Sequence, residues 1–201
     1  GAGGRLVVVP ADIESFQVNF DAFERLLGPQ VKGVLINTPN NPSGVVYSAE
    51  TLRRLGQLLT KKQLEYGHSI YLISDEPYRE LVFAGVDAPY AASFYANTFT
   101  CYSFSKSMSV PGERIGYVAV NPDSEDAGIA AAVFGQISRE IGHNCPPSLM
   151  QLAVARCLED TSDLSVYEEN KNILYRELTG MGFTCVEPGG TFYMFPRSLE
   201  P

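Results

Sequence analysis

Ile70-Tyr71-Leu72-Ile73-Ser74-Asp75-Glu76-Pro77-Tyr78 is an apolar run that breaks abruptly into a charged, proline-bearing loop. A short apolar run without alternation reads as a strand buried on both faces. The same pattern recurs on either side. Residues 32–37 form another buried-type strand, followed by a loop over 38–44, and Thr98–Ser103 and Gly116–Val120 read as two more strands. Residues 6–10 read as a further strand near the start. Helical patterns lie between them. Asn19 can cap a short helix carrying Phe20, Phe23, Leu26 and Leu27, stopped by Gly28-Pro29. Ser48 caps a longer helix with Leu52, Leu55 and Leu59 on one face, ended by Gly67. Residues 123–142 and 146–160 also carry helical patterns. Strands joined by helical crossovers imply an α/β fold: three α/β/α layers around a mainly parallel sheet. Such sheets take ligands outside the carboxyl ends of their strands, so the loops that follow them are where chemistry belongs.

After residue 160 the texture changes. Thr161-Ser162-Asp163 opens a polar helix running to about Gly180. Residues 183–187, Pro188-Gly189-Gly190 and residues 191–195 read as a β-hairpin. The expected division is a large domain over residues 1–158 and the start of a smaller α+β domain over 159–201. The chain has no initiator methionine, begins on a glycine-rich turn and stops just after an apolar run, and it reads as a fragment lacking parts at both ends.

Composition narrows the function classes. The 201 residues are 45% hydrophobic and 19% charged, a globular balance. Fifteen Lys and Arg against 23 Asp and Glu give −8, which argues against a general nucleic-acid binder. A local positive pocket for a small anion is still compatible with that charge. The longest apolar stretches, residues 6–10 and 128–134, fall far short of a bilayer span. The opening Gly1-Ala2-Gly3-Gly4-Arg5-Leu6 has neither the charged nor the apolar region of a secretory leader. Cys101, Cys145, Cys157 and Cys185 are scattered, without Cys-x-x-Cys or metal-ligand spacing to His68 or His143. A reducing cytoplasm is therefore the expected compartment.

Four clusters fall at or just after the strand ends. Asn37-Thr38-Pro39-Asn40-Asn41-Pro42-Ser43-Gly44 is a rigid turn whose Asn side chains both donate and accept. Ser74-Asp75-Glu76-Pro77-Tyr78 puts a carboxylate where burial is costly without a partner. Tyr102-Ser103-Phe104-Ser105-Lys106-Ser107 puts a lysine beside the crevice, where desolvation favours the free amine of Schiff-base chemistry. Pro111-Gly112-Glu113-Arg114-Ile115-Gly116 offers a guanidinium able to grip an anion bidentately. Each cluster taken alone favours the bland reading: an ordinary turn, a helix cap, a surface lysine or an ion pair between Arg114 and Glu113.

Their order is more specific than any one of them. Asn, then Asp with Tyr three residues on, then Ser-x-Ser-Lys, then Arg eight residues after the lysine, fall on successive loops. This resembles the class I/II aminotransferases of the aspartate aminotransferase superfamily, fold type I enzymes that use pyridoxal 5′-phosphate. The resemblance runs from about Leu6 to Pro196. It implies the large domain of a pyridoxal-phosphate-dependent transferase and an enzyme that moves an amino group between amino-acid and 2-oxo-acid substrates. It makes Lys106 the Schiff-base lysine and proton carrier, and Asp75 the partner of the pyridine nitrogen. Tyr78 and Asn41 become donors to the cofactor's ring oxygen, with Asn41 also reaching the substrate carboxylate. Arg114 and Ser103, assisted by Ser105, become the phosphate ligands. The Asn41–Pro42 bond is expected cis. The resemblance also implies a homodimer, with the glycine-rich phosphate cradle, the ring-stacking aromatic and the substrate-carboxylate arginine outside this stretch. The isolated stretch is expected to be inactive.

A β-lyase of the same fold, or a regulator that reads the cofactor without turnover, would carry the same residues. A dinucleotide-binding oxidoreductase does not fit, because no Gly-x-Gly-x-x-Gly turn joins a strand to a helix. His143 and Cys145 lack an orienting partner, and no metal site is expected. The acidic run at 123–126 reads as a solvated helix start. Tyr193 and its aromatic neighbours read as core of the second domain.

Overall fold

The computed structural model describes residues 3–199; Gly1 and Ala2 of the glycine-rich opening, and the last two positions, lie outside that range. In chain order the elements are α1 (Phe20–Leu26), β1 (Gly33–Asn37), α2 (Ala49–Tyr66), β2 (Tyr71–Asp75), a 3-10 turn at Ala91–Ser93, β3 (Thr98–Ser103), α3 (Phe104–Ser107), a second 3-10 turn at Pro111–Glu113, β4 (Gly116–Val120), α4 (Ala127–Glu140), α5 (Ser148–Arg156) and α6 (Ser165–Gly180). The helix starts follow their side-chain chemistry. Asn19 accepts from the Ala22 amide at 3.1 Å, and Ser48 accepts from the Thr51 amide at 3.0 Å. Gly67 ends α2 at φ 68°, a left-handed conformation that costs glycine little.

The sheet runs β1-β2-β3-β4, with β1, β2 and β3 parallel and β4 antiparallel to β3. It is mixed but mainly parallel, as the alternation of strands and helices requires. On one face Leu52, Leu55 and Leu59 of α2 pack with Phe23, Leu27, Ile36, Ile70, Leu72 and Tyr95. Each buried leucine contributes roughly 2 kcal/mol of transfer free energy. On the opposite face Tyr71 stacks on Phe99 at 5.0 Å, and Phe134 of α4 meets Phe99 edge-on at 5.1 Å. Helices therefore cover both faces, giving three layers.

Three local readings are corrected. Residues 6–10 form no strand: Leu6 and Val8 are exposed, and only Val9 packs against the core. An extended segment becomes a strand only when an edge pairs with it, and among the described residues the free edge of β1 takes no partner. Residues 183–195 do not form the expected hairpin ladder. The amides of Gly189 and Gly190 both donate to the Gly44 carbonyl at 3.0 Å, and Gly190 bridges Val82, so this turn is committed to another loop. The acidic run before α4 is not merely solvated: Ser69 donates to Glu125 at 2.5 Å, and the Tyr71 hydroxyl donates to Asp126.

Among the described residues no helix is long and apolar enough to cross a membrane, and no group of three metal-ligating side chains occurs.

Candidate active site

Strand register sets the first corner of the site. Asn37 ends β1, Asp75 ends β2, and the ladder pairs Asn37 with Asp75 and Asp75 with Cys101. Paired residues share a sheet face, so these three side chains form a row at the carboxyl end. Asn37 Nδ2 donates to Asp75 Oδ2 at 3.0 Å and to the Asp75 carbonyl at 3.0 Å. Its Oδ1 accepts from the Asn41 amide at 2.7 Å. One asparagine thus ties the carboxylate to the loop bearing Asn41. Burial pushes the Asp75 carboxyl above its usual range; the Asn37 bond pulls it down, and the neighbouring charge of Glu76 pushes it up again. The Cys101 thiol is likewise raised, by burial first and then by the charges of Asp75 and Glu76.

Directly behind Asp75, Glu76 is fully buried. It accepts from Ser74 Oγ at 2.7 Å and pairs with Arg79, whose guanidinium also donates to the Ala88 carbonyl at 3.0 Å and lies over the Tyr90 ring. This pair anchors the turn that carries Asp75 and Tyr78.

The loop over residues 38–44 holds its shape by internal bonds. Asn40 Oδ1 accepts from both the amide and the hydroxyl of Ser43, at 3.0 and 2.7 Å. Asn41–Pro42 is cis, as expected, and so is Thr38–Pro39. Gly44 sits at φ 71°, and a Cβ there would lie 2.6 Å from both Pro188 Cβ and the Tyr193 carbonyl oxygen. Only glycine lets the segment after Pro188 close down at this point.

That closure brings in two aromatics. Tyr78, which is buried, meets Phe192 edge-on at 5.7 Å and Tyr193 at 5.8 Å. The Tyr78 and Tyr193 hydroxyl oxygens are 3.3 Å apart. Burial, then the Tyr193 hydroxyl, pushes the Tyr78 phenol up to about 12, with the Asn41 side chain pulling the other way. The Lys106 amine lies 5.7 Å from the centre of the Phe192 ring and forms no salt bridge among the described residues. Ser103 caps α3: its Oγ accepts from the Ser105 amide at 3.2 Å and donates to Ser105 Oγ at 2.7 Å.

Tyr78 and Lys106 therefore meet at Phe192, with Tyr193 and the Asn41 side chain beside Tyr78 and Asp75 tied to the Asn41 loop through Asn37. Ser103 and Ser105 lie at the root of the lysine's helix. Arg114 stands apart. It is exposed, sits at φ 52°, and its guanidinium donates to the Pro111 carbonyl at 2.7 Å. No ion pair with Glu113 forms. Its link to the lysine runs through backbone, where the Phe104 amide donates to the Ile115 carbonyl at 3.1 Å.

The sequence reading missed Asn37, Phe192 and Tyr193 as site residues. Asn37 had a signal, because it ends one strand as Asp75 ends the next. Tyr193 is half-buried and faces Tyr78 instead of filling a second core. Nothing in the local sequence marks that placement, which depends on the long-range contact with Gly44.

The model of the family described as "Aminotransferase class I and II" matches residues 1–198. An aspartate aminotransferase of Thermotoga maritima is 35% identical over 96% of this chain and 49% of its own length. An aromatic-amino-acid aminotransferase of Thermococcus litoralis is 30% identical over 98% of this chain and 50% of its own length. Among solved structures, an amino transferase from Eubacterium rectale superposes with a TM-score of 0.96 at 49% identity, covering 99% of this chain and 50% of that one. The chain spans about half the length of the curated relatives it matches.

Proposed function

The chain belongs to the class I and II aminotransferase family, and we propose that the protein carrying it transfers amino groups between amino acids and 2-oxo acids, using pyridoxal 5′-phosphate held at Lys106. The observation that carries this reading is the meeting of the Lys106 amine and the Tyr78 ring at Phe192, with Asn41 beside Tyr78 and Asp75 tethered to the Asn41 loop through Asn37.

The donor set fits the cofactor. Lys106 has an amine without an ionic partner, Asp75 has a carboxyl held by one asparagine bond, and Tyr78 keeps its proton throughout the neutral range. When bound, pyridoxal phosphate supplies an aldehyde that takes up an amine and a ring that withdraws electrons from it. The chain's own residues do the rest. Asp75 would pair with the pyridine nitrogen and hold a proton there. Tyr78 and Asn41 would donate to the ring oxygen, and Asn41 would orient the substrate carboxylate. Lys106 would be the amine that holds the aldehyde and the group that carries the proton at the substrate Cα. Ser103, Ser105 and Arg114 would hold the phosphate, for which Arg114 would leave the Pro111 carbonyl. The Phe192 ring lies beside the Lys106 amine.

We further infer a homodimer, a domain boundary near residue 158, and a cytoplasmic setting in keeping with the four free cysteines. The protein carrying this chain is reduced with borohydride in the presence of pyridoxal phosphate and mapped by peptide. Label on Lys106 is the expected result, and label confined to other lysines overturns the assignment. Release of a 2-oxo acid without free ammonia supports transfer; pyruvate with ammonia identifies a lyase instead.

A further inference from the structure

Lys106 sits on a helix of four residues, α3. So short a helix cannot hold its own shape, because nucleation costs more than one turn of hydrogen bonds returns. Contacts from outside must therefore orient it. One of these is buried and unexplained by the chemistry above. The Tyr102 hydroxyl lies 2.7 Å from Glu80 Oε2 and 2.8 Å from Ser107 Oγ. Tyr102 and Ser107 are both buried. A carboxylate only accepts, so the single phenolic proton goes to Glu80, and Ser107 must donate to Tyr102. The chain of bonds has one direction: Ser107 to Tyr102 to Glu80. Burial also drives the Tyr102 phenol above its ordinary value, so that the proton remains in place. The ring cannot swing away. Tyr117 stacks on it at 5.1 Å and Phe104 meets it edge-on at 5.0 Å.

The two ends of this chain belong to different loops. Glu80 closes the turn that carries Asp75 and Tyr78, and Ser107 adjoins Lys106. We propose that Tyr102 is a positioning residue for Lys106, its phenol fastening the lysine's helix to the Asp75–Tyr78 turn. The proposal rests on the functional reading for what Lys106 does, but the fastening itself is a property of the chain without cofactor.

The test uses Tyr102→Phe in the protein carrying this chain, which keeps the stacked ring and removes the hydroxyl. Ser107→Ala breaks the same chain from the other end while leaving the Tyr102–Glu80 bond, and it serves if the first variant does not fold. Two readouts are taken. The first is hydrogen exchange at the Phe104 and Met108 amides of the apoprotein. The second is affinity for pyridoxal phosphate, with the pH midpoint of its visible absorption as a signature of where the lysine stands. Faster exchange at both amides, about a tenfold loss of cofactor affinity and a moved midpoint are expected, the scale typical of losing an outer-shell partner. The double variant should do no more than Tyr102→Phe alone, since that variant already removes the bond to Ser107. Unchanged exchange and an unchanged midpoint in the folded variants overturn the proposal. Should borohydride fail to label Lys106 in the parent, the functional reading falls alone, and amide exchange still decides the fastening.

Discussion

The Asn37–Asp75 corner and the Lys106–Arg114 stretch hold their polar groups by different means. At the corner, two parallel strands set the side chains in register, and Asn37 adds bonds to a carboxylate and to the next loop. Beyond β3 the chain leaves the sheet into a four-residue helix and a 3-10 turn, with Ser109 and Arg114 both at positive φ. There, position depends on single ties: Tyr102 to Ser107, and Ser162 to the carbonyl of Ser107, with 2.7 Å from the amide and 2.9 Å from the hydroxyl. A ladder distributes the work of positioning over many bonds, whereas a loop concentrates it in a few. The largest loss should therefore come not from any one ladder bond but from stranding the buried charge packed behind the corner, and the loop-built half should tolerate change at its outer surface.

The severest test of that contrast is Glu76→Ala. It strands the largely buried guanidinium of Arg79, whose Nε already lacks a partner. Breaking one side of a buried pair costs about 3 kcal/mol or more, read as a shift in the urea midpoint. A loss below about 1 kcal/mol would mean that the corner stands on its ladder without this support.

A middle-sized effect concerns pH. Burial holds the folded Asp75 carboxyl above its ordinary 3.8, so the folded state binds more protons than the unfolded state just above that pH. The contribution of this group to stability is then fully present below 3.8 and falls as pH rises through the raised value. The stability of the wild type relative to Asp75→Asn should accordingly decline from pH 3.8 upward in matched urea titrations. A flat difference would place Asp75 in water, and a rising one would mean that the Asn37 bond outweighs burial.

The smallest effect belongs to the loop side. Arg114→Ala removes an exposed side chain with one bond to a carbonyl in its own turn, and stability should change by no more than about 0.5 kcal/mol. Cofactor affinity, in contrast, should fall if Arg114 holds the phosphate. A large stability loss would show that this turn is built more like the corner than its geometry suggests.

Much of the fold was legible because its signals are local. The caps at Asn19 and Ser48, the leucine face of α2 and the strand runs at 98–103 and 116–120 each depend on neighbours within a few residues. Two of the misread segments have in common a need for a distant partner. Residues 6–10 have strand composition but no edge to join, and Gly189-Gly190 turns toward Gly44 in place of pairing its own flanks. In the candidate site, the motif loops stood out by residue type and order. Phe192 and Tyr193 did not, because an aromatic in a core and an aromatic in a site have the same local signature.

Periodicity and capping were enough to indicate an α/β sheet, and the succession of loop motifs carried the family resemblance and singled out the candidate residues, since each is written in nearest-neighbour chemistry. Tertiary structure alone decided that Asn37 would restrain Asp75, that Tyr102 would fasten the helix of Lys106, that Phe192 from the far end of the chain would lie beside its amine and Tyr193 beside Tyr78, and that Arg114 would turn outward. Those outcomes depend on pairs separated by many residues, and no local pattern encodes which distant group will arrive.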